Sequence, residues 1–132
     1  MRPERVALAA LLAVALAGAG PAAKPVMIGG TPDMDACPST FTVTGLNPRG
    51  DNYLSLRAAP STRARELGRL RPDQIVWACD ETADGNWTGV LVSPDHDRID
   101  CGVGSPIAKR QPYRGPCKAG WVSSRFLTSL AG

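Results

Sequence analysis

The sequence predicts an all-β chain, a small barrel of short strands, on three observations. Apolar and polar residues alternate in short runs rather than at helical spacing, as in Tyr53-Leu-Ser-Leu-Arg57. The 132 residues include 14 glycines and 12 prolines but only 5% aromatics, which favours many turns over long helices. Gly120-Trp121-Val122 reads as a tight turn entering an apolar strand, with Tyr53 to Pro60 as its distant partner strand. A chain of this length makes one domain, not two.

Residues 1–19 read as a secretory signal peptide. Arg2 and Arg5 precede an unbroken apolar run from Val6 to Leu16, too short for a bilayer span of about 20 residues. Ala17-Gly18-Ala19 supplies the small residues of a cleavage site, with Ala22 as the near alternative. No cysteine follows closely enough for lipidation, so export to the periplasm or the extracellular space is expected, with no transmembrane segment in the mature chain. Loss of Arg2, Arg5 and Glu4 leaves 13 basic and 11 acidic side chains, net +2, against +3 for the whole chain. That balance gives no concentrated basic patch for nucleic acid.

Residues 20–36, rich in Pro, Gly and Ala without a period, read as a flexible leader. Phe41-Thr-Val-Thr44 alternates and predicts a first strand. Asn47-Pro48 and Gly50-Asp51-Asn52 mark turns. In the second strand Leu54 and Leu56 share one face, and Tyr53, Ser55 and Arg57 the other. Ser61 to Arg71, with Leu67 and Leu70 three apart, is expected to be a short helix or turn. Gln74 to Cys79 is apolar on both faces, Val76 and Ala78 on one, Ile75, Trp77 and Cys79 on the other. One face should meet the barrel core, and the segment around Cys37 should cover the other. Asp84-Gly85-Asn86 predicts a hairpin turn into Trp87–Val92, with a bulge at Gly89. Residues 93–116 form a long irregular insertion, Lys118 to Val122 is the next strand, and Ser123-Ser124 with Phe126 and Leu127 reads as a short turn followed by a closing apolar strand.

Four cysteines in a small exported domain read as a disulfide framework. Three connectivities are open, and sequence alone does not choose among them. We favour Cys37–Cys79, which would hold the cover against the strand and contribute roughly 3–4 kcal/mol on the chain-entropy account. Its companion Cys101–Cys117 would close a loop within the insertion for about 3 kcal/mol.

At this point the ordered motifs resemble a known family. Leu54-Ser-Leu-Arg57 followed by Ala58-Ala59-Pro60-Ser61 resembles the Leu-Asn-Val-Arg-Ser-Gly-Pro-Ser signature of bacterial Src-homology-3-like (SH3-like) domains. Leu67-Gly-Arg-Leu70, the turn at Asp73, Val76, Gly85-Asn-Trp87 with Val90, Gly120-Trp-Val122 and Phe126-Leu127 follow in that family's order. The likeness covers Phe41 to Leu130, and the SH3-like domain is expected over residues 37–130. A closer likeness is to exported single-domain SH3-like proteins of uncharacterised function, in which Cys-Gly-Val … Gly-Pro-Cys precedes Gly-Trp-Val. Here Ala58-Ala59 replaces the usual glycine after the arginine, and Asp73 the usual turn glycine. The 24-residue insertion stands where the family has a short hairpin loop. The resemblance implies an SH3-like, partly open barrel of five to seven strands with a disulfide-tied insertion. It also implies a binding role: many relatives are attached to cell-wall hydrolases and bind wall peptides.

Catalysis lacks a convincing set. His96 is the single histidine, the cysteines are better explained as bridges, and no Gly-x-Ser-x-Gly or glutamate pair is present. The expectation is therefore no enzyme and no cofactor. Asp95, His96, Asp97 and Asp100 lie within six residues, but they lack the glycine and closing glutamate of a Ca²⁺ loop, so no metal site is expected. Lys109, Arg110, Arg114 and Lys118 make the second half of the insertion basic, which reads as solvated surface before it reads as a contact for acidic wall polymer or lipid head groups. Tyr53, Arg57, Trp87 and Tyr113 are the candidate ligand-binding residues, an aromatic and cationic groove in which Arg stacks on a ring. The expected partner is a cell-wall peptide, peptidoglycan or an envelope protein, engaged by a monomer. The competing expectation is a structural or stress-related envelope protein that acts through contacts of its insertion.

Overall fold

The computed structural model describes residues 20–94 and 100–132. Residues 1–19, where the signal peptide is expected, and residues 95–99, with Asp95, His96 and Asp97, lie outside the described residues. The chain is all-β. Its strands are β1 (Met27–Ile28), β2 (Ser39–Val43), β3 (Leu54–Arg57), β4 (Glu66–Leu70), β5 (Ile75–Glu81), β6 (Trp87–Val92), β7 (Gln111–Pro112), β8 (Lys118–Ser123) and β9 (Leu127–Ala131), with a 3-10 turn at Ser124–Phe126 before the last. Seven strands form one antiparallel sheet in the order β4-β3-β8-β6-β5-β2-β9. β1 and β7 form a second, two-stranded sheet. The edge strands β4 and β9 do not pair, so the large sheet is not a closed barrel.

The large sheet buries both faces of its central strands. Side chains alternate across a strand, so β8, β6 and β5 each serve two cores. One face gathers Val43, Leu54, Leu56, Leu70, Val76, Val90 and Val122 into a core where Leu56, Val90 and Val122 are wholly excluded from solvent. The opposite face carries Trp121 and Leu91, also fully buried, with Trp77 and Trp87 packed beside them. The cover on that face is Val26, Ile28, Ala36 and Cys37 from the N-terminal segment, and Cys101, Val103 and Cys117 from the insertion. The expected two-sided burial of the 74–79 strand therefore holds for Val76, Trp77 and Cys79, but Ile75 is 60% exposed at the strand's start.

Both favoured bridges, Cys37–Cys79 and Cys101–Cys117, are present. The first ties the cover to β5, the second closes the insertion beneath β8.

Four expectations are corrected. Residues 20–36 are not a flexible leader. Lys24 N–H donates to the Ala58 carbonyl, Met27 N–H to Asp80 Oδ2, and β1 pairs with β7. Val26 and Ile28 are buried because, two apart across Met27 in extended backbone, they share the side that meets the sheet. Residues 66–70 of the expected helix or turn are β4, paired with β3. The pairing passes from Leu56 opposite Gly68 to Arg57 opposite Glu66, leaving Leu67 as the extra residue of a bulge. The bulge shifts the alternation, so Leu67 and Leu70, three apart, both pack on one core. The other bulge lies on β5, not at Gly89. Ala78 faces Val90 and Asp80 faces Gly89, which leaves Cys79 as the inserted residue. Gly89 instead allows close approach: a Cβ there would stand 2.9 Å from Asp80 Cβ and 3.1 Å from Val26 Cγ1. The fourth correction concerns the insertion, which has its own strand, β7, and contributes to a core. Asp73 does adopt the left-handed turn conformation, with φ 67°.

Candidate functional site

An open groove of about 550 Å³ lies beside β3 on the outer face, the one that carries Trp121. Alternation along β3 sends Leu54 and Leu56 inward, leaving Tyr53, Ser55 and Arg57 to form one wall. Trp87 comes from the start of β6, where the Asp84-Gly85-Asn86 turn delivers it. Asp84 accepts hydrogen bonds from Asn86 N–H and the Thr82 hydroxyl, and these hold its carboxyl below the usual range. Trp87 faces Ser123 across the β6–β8 pair, packs partly on the covered core and lines the groove with its remaining surface. Arg125 and Phe126 of the 3-10 turn and residues of the loop from Gly45 to Asp51 complete the lining.

Three of the four residues expected from sequence are brought together here: Tyr53, Arg57 and Trp87. Tyr113 is not among them. Its hydroxyl donates to the Cys101 carbonyl at 2.8 Å and accepts from Cys117 N–H at 3.1 Å, so it braces the Cys101–Cys117 loop from inside. A phenol aimed at two backbone groups is held by the insertion and is absent from the groove. None of the groove's lining residues belongs to the described part of the insertion.

The expected stacking of arginine on an aromatic ring is present with a different arginine. Arg69 of β4 places its guanidinium 4.1 Å from the Tyr53 ring centroid. Arg69 Nε also donates to Glu66 Oε1 at 2.8 Å, and the Ser55 hydroxyl donates to Glu66 Oε2 at 2.7 Å. The Ser55 hydrogen bond, and then that of Arg69, hold the Glu66 carboxyl below its ordinary range. Glu66 in turn raises Arg69. Arg57 points one guanidinium nitrogen at the Ala64 carbonyl, 3.0 Å away. Sequence reading missed Glu66 and Arg69 because both depend on residues 66–70 being a strand beside β3. It missed Phe126 and Arg125 because it set the turn at Ser123-Ser124 and put Phe126 in the closing strand, whereas the 3-10 turn spans Ser124–Phe126. The Glu66-x-x-Arg69 spacing was visible, but at the three-residue interval of a helix face.

The basic half of the insertion is partly engaged within the fold. Arg110 pairs with Asp80 at 2.9 Å, and Lys118 Nζ donates to the Leu67 carbonyl at 3.2 Å. All four cysteines are bridged, so no thiolate is available. Asp100, the described member of the acidic cluster, accepts from Gly102 N–H.

No protein-family model matches the chain, and no curated protein and no solved structure matches it.

Proposed function

We propose that the chain is an exported, non-enzymatic binding module with an SH3-like, partly open barrel arrangement. Its ligand is a cell-envelope peptide, the peptide part of peptidoglycan or a segment of a partner protein. The observation that carries this reading is the groove itself: Tyr53, Arg57, Trp87, Arg125 and Phe126 bring aromatic and cationic side chains into one open trough. Such a trough, with rigid rings for contact area and a few polar groups for orientation, suits an extended peptide. The SH3-like arrangement is supported by the order of sequence motifs along the strands. Export is supported by the apolar N-terminal run, and two disulfides are consistent with it.

Co-sedimentation of the oxidised mature protein with purified peptidoglycan sacculi tests the wall reading, with Trp87→Ala alongside. Saturable binding that Trp87→Ala weakens about tenfold or more supports it, since truncated aromatic anchors typically cost more than 1 kcal/mol. Absence of binding at low salt moves the ligand to a protein of the envelope. The competing reading, contact through the insertion, is less favoured because Cys101, Val103 and Cys117 of that region are buried in a core.

A further inference from the structure

Charge is distributed unevenly along the chain. Residues 49–71 carry six arginines, Arg49, Arg57, Arg63, Arg65, Arg69 and Arg71, against two acids, Asp51 and Glu66. That is +4. The rest of the chain from residue 20 has seven basic and nine acidic side chains, or −2. Every cation of the 49–71 stretch is arginine, the side chain suited to bidentate contact with a planar oxyanion. The groove lies against this stretch.

The cations in and beside the groove are not equally occupied. Arg69 is spent on Glu66 and the Tyr53 ring. Arg57 makes one hydrogen bond, to a carbonyl, and forms no ion pair among the described residues. Arg125 is exposed, lies 4.9 Å from the Phe126 ring centroid and likewise forms no ion pair among the described residues. A guanidinium has five N–H donors, so both retain capacity for an anion. Trp87 and Phe126 offer apolar surface in the same groove.

We propose that the groove takes a peptide segment bearing a carboxylate, held by Arg57 and Arg125, with apolar neighbours laid on Trp87 and Phe126. This rests on the reading of the groove as a peptide site and names its ligand class. A continuous polyanion is disfavoured, because Asp51 and Glu66 also line the groove and would repel it. A peptide, whose charges are discrete and separated by apolar groups, places a carboxylate on the arginines without crowding those acids.

The test is selection from a random-sequence linear peptide library on the oxidised mature protein, repeated on Arg57→Gln and Arg125→Gln. Circular dichroism and thermal melting show that each variant is folded. The expected result is enrichment of Asp, Glu or a free C-terminal carboxylate, with affinity falling about tenfold for either variant, the loss of one charge-assisted contact. Affinity should also fall when salt is raised from about 0.05 to about 0.5 M, which shortens the screening length several-fold. Peptides that bind through Trp87 without acid enrichment, or equally well to both arginine variants, overturn the carboxylate inference and leave the groove reading standing. Selection that yields no binder overturns both.

Discussion

Trp121 donates its indole N–H to the Lys24 carbonyl at 2.9 Å, and the Lys24 ammonium lies 5.2 Å from the centroid of the same ring. One fully buried side chain of β8 thus fastens the N-terminal segment, 97 residues away in sequence, across the outer face of the sheet. Trp121→Phe keeps an aromatic ring but removes the donor and leaves space in a closed core. We expect a loss of about 2–3 kcal/mol by chemical denaturation, from the missing hydrogen bond and the cavity together. Hydrogen exchange at Val26 and Ile28 should accelerate in the variant, because the cover opens before the sheet does.

The Cys37–Cys79 bridge joins that cover to β5 over a sequence separation of 42. Replacing both cysteines by alanine should cost about 3–4 kcal/mol on the chain-entropy account, and replacing Cys101 and Cys117 about 3 kcal/mol. Denaturation midpoints of the two double variants check the order. The first should also raise protease sensitivity within residues 20–36.

Gly89→Ala tests the close contact between sheet and cover. Its Cβ would meet Asp80 Cβ at 2.9 Å and the Val26 methyl groups at 3.1 and 3.3 Å. Overpacking there should destabilise by about 1–3 kcal/mol. Val26→Ala in the same chain should recover part of that loss, whereas Val26→Ala alone is destabilising. A double-mutant cycle on denaturation midpoints reads the coupling.

Glu66 gives a pH signature. Its folded pKa lies below the ordinary value of 4.5, first through the Ser55 hydroxyl and then through Arg69. A depressed carboxylate contributes stability that is fully present above the ordinary value and is lost as pH falls through the lower folded one. Wild type should therefore exceed Glu66→Gln in stability near neutral pH by a modest margin, as suits an exposed pair. The margin should close in acid below 4.5. A carboxyl carbon titration by NMR, with denaturation at several pH values, checks both parts.

Much of this architecture was legible in the sequence, and the losses have physical causes. Trp87–Val92 was readable to its ends because a Gly-containing turn sets one limit and Pro94 follows the other. The apolar character of both faces at Val76, Trp77 and Cys79 correctly required a cover, and Cys37 lies in it. β4 was obscured because the bulge at Leu67 brings leucines three apart onto one core, the spacing of a helix. β1 was obscured because a two-residue strand has no period to detect, and its partner β7 is more than 80 residues away. Strand phase put Tyr53, Ser55 and Arg57 on one face, as they lie in the groove, but the Ser55–Glu66–Arg69 contacts need the register of β3 against β4. Tyr113 stands apart from the groove because its two backbone partners lie in the cysteine-bridged loop. Removing Asp95 to Ala108 to test the insertion would also delete Cys101 and Val103 from a core, so intact protein is the better subject.

The most direct measurement is an amide and indole chemical-shift titration of oxidised, isotope-labelled mature protein with soluble peptidoglycan fragments. The groove account predicts saturable shifts at Tyr53, Ser55, Arg57, Arg125, Phe126 and the Trp87 indole, with little change from Gly102 to Ser105. Shifts confined to the insertion, with the Trp87 indole unmoved, would contradict it.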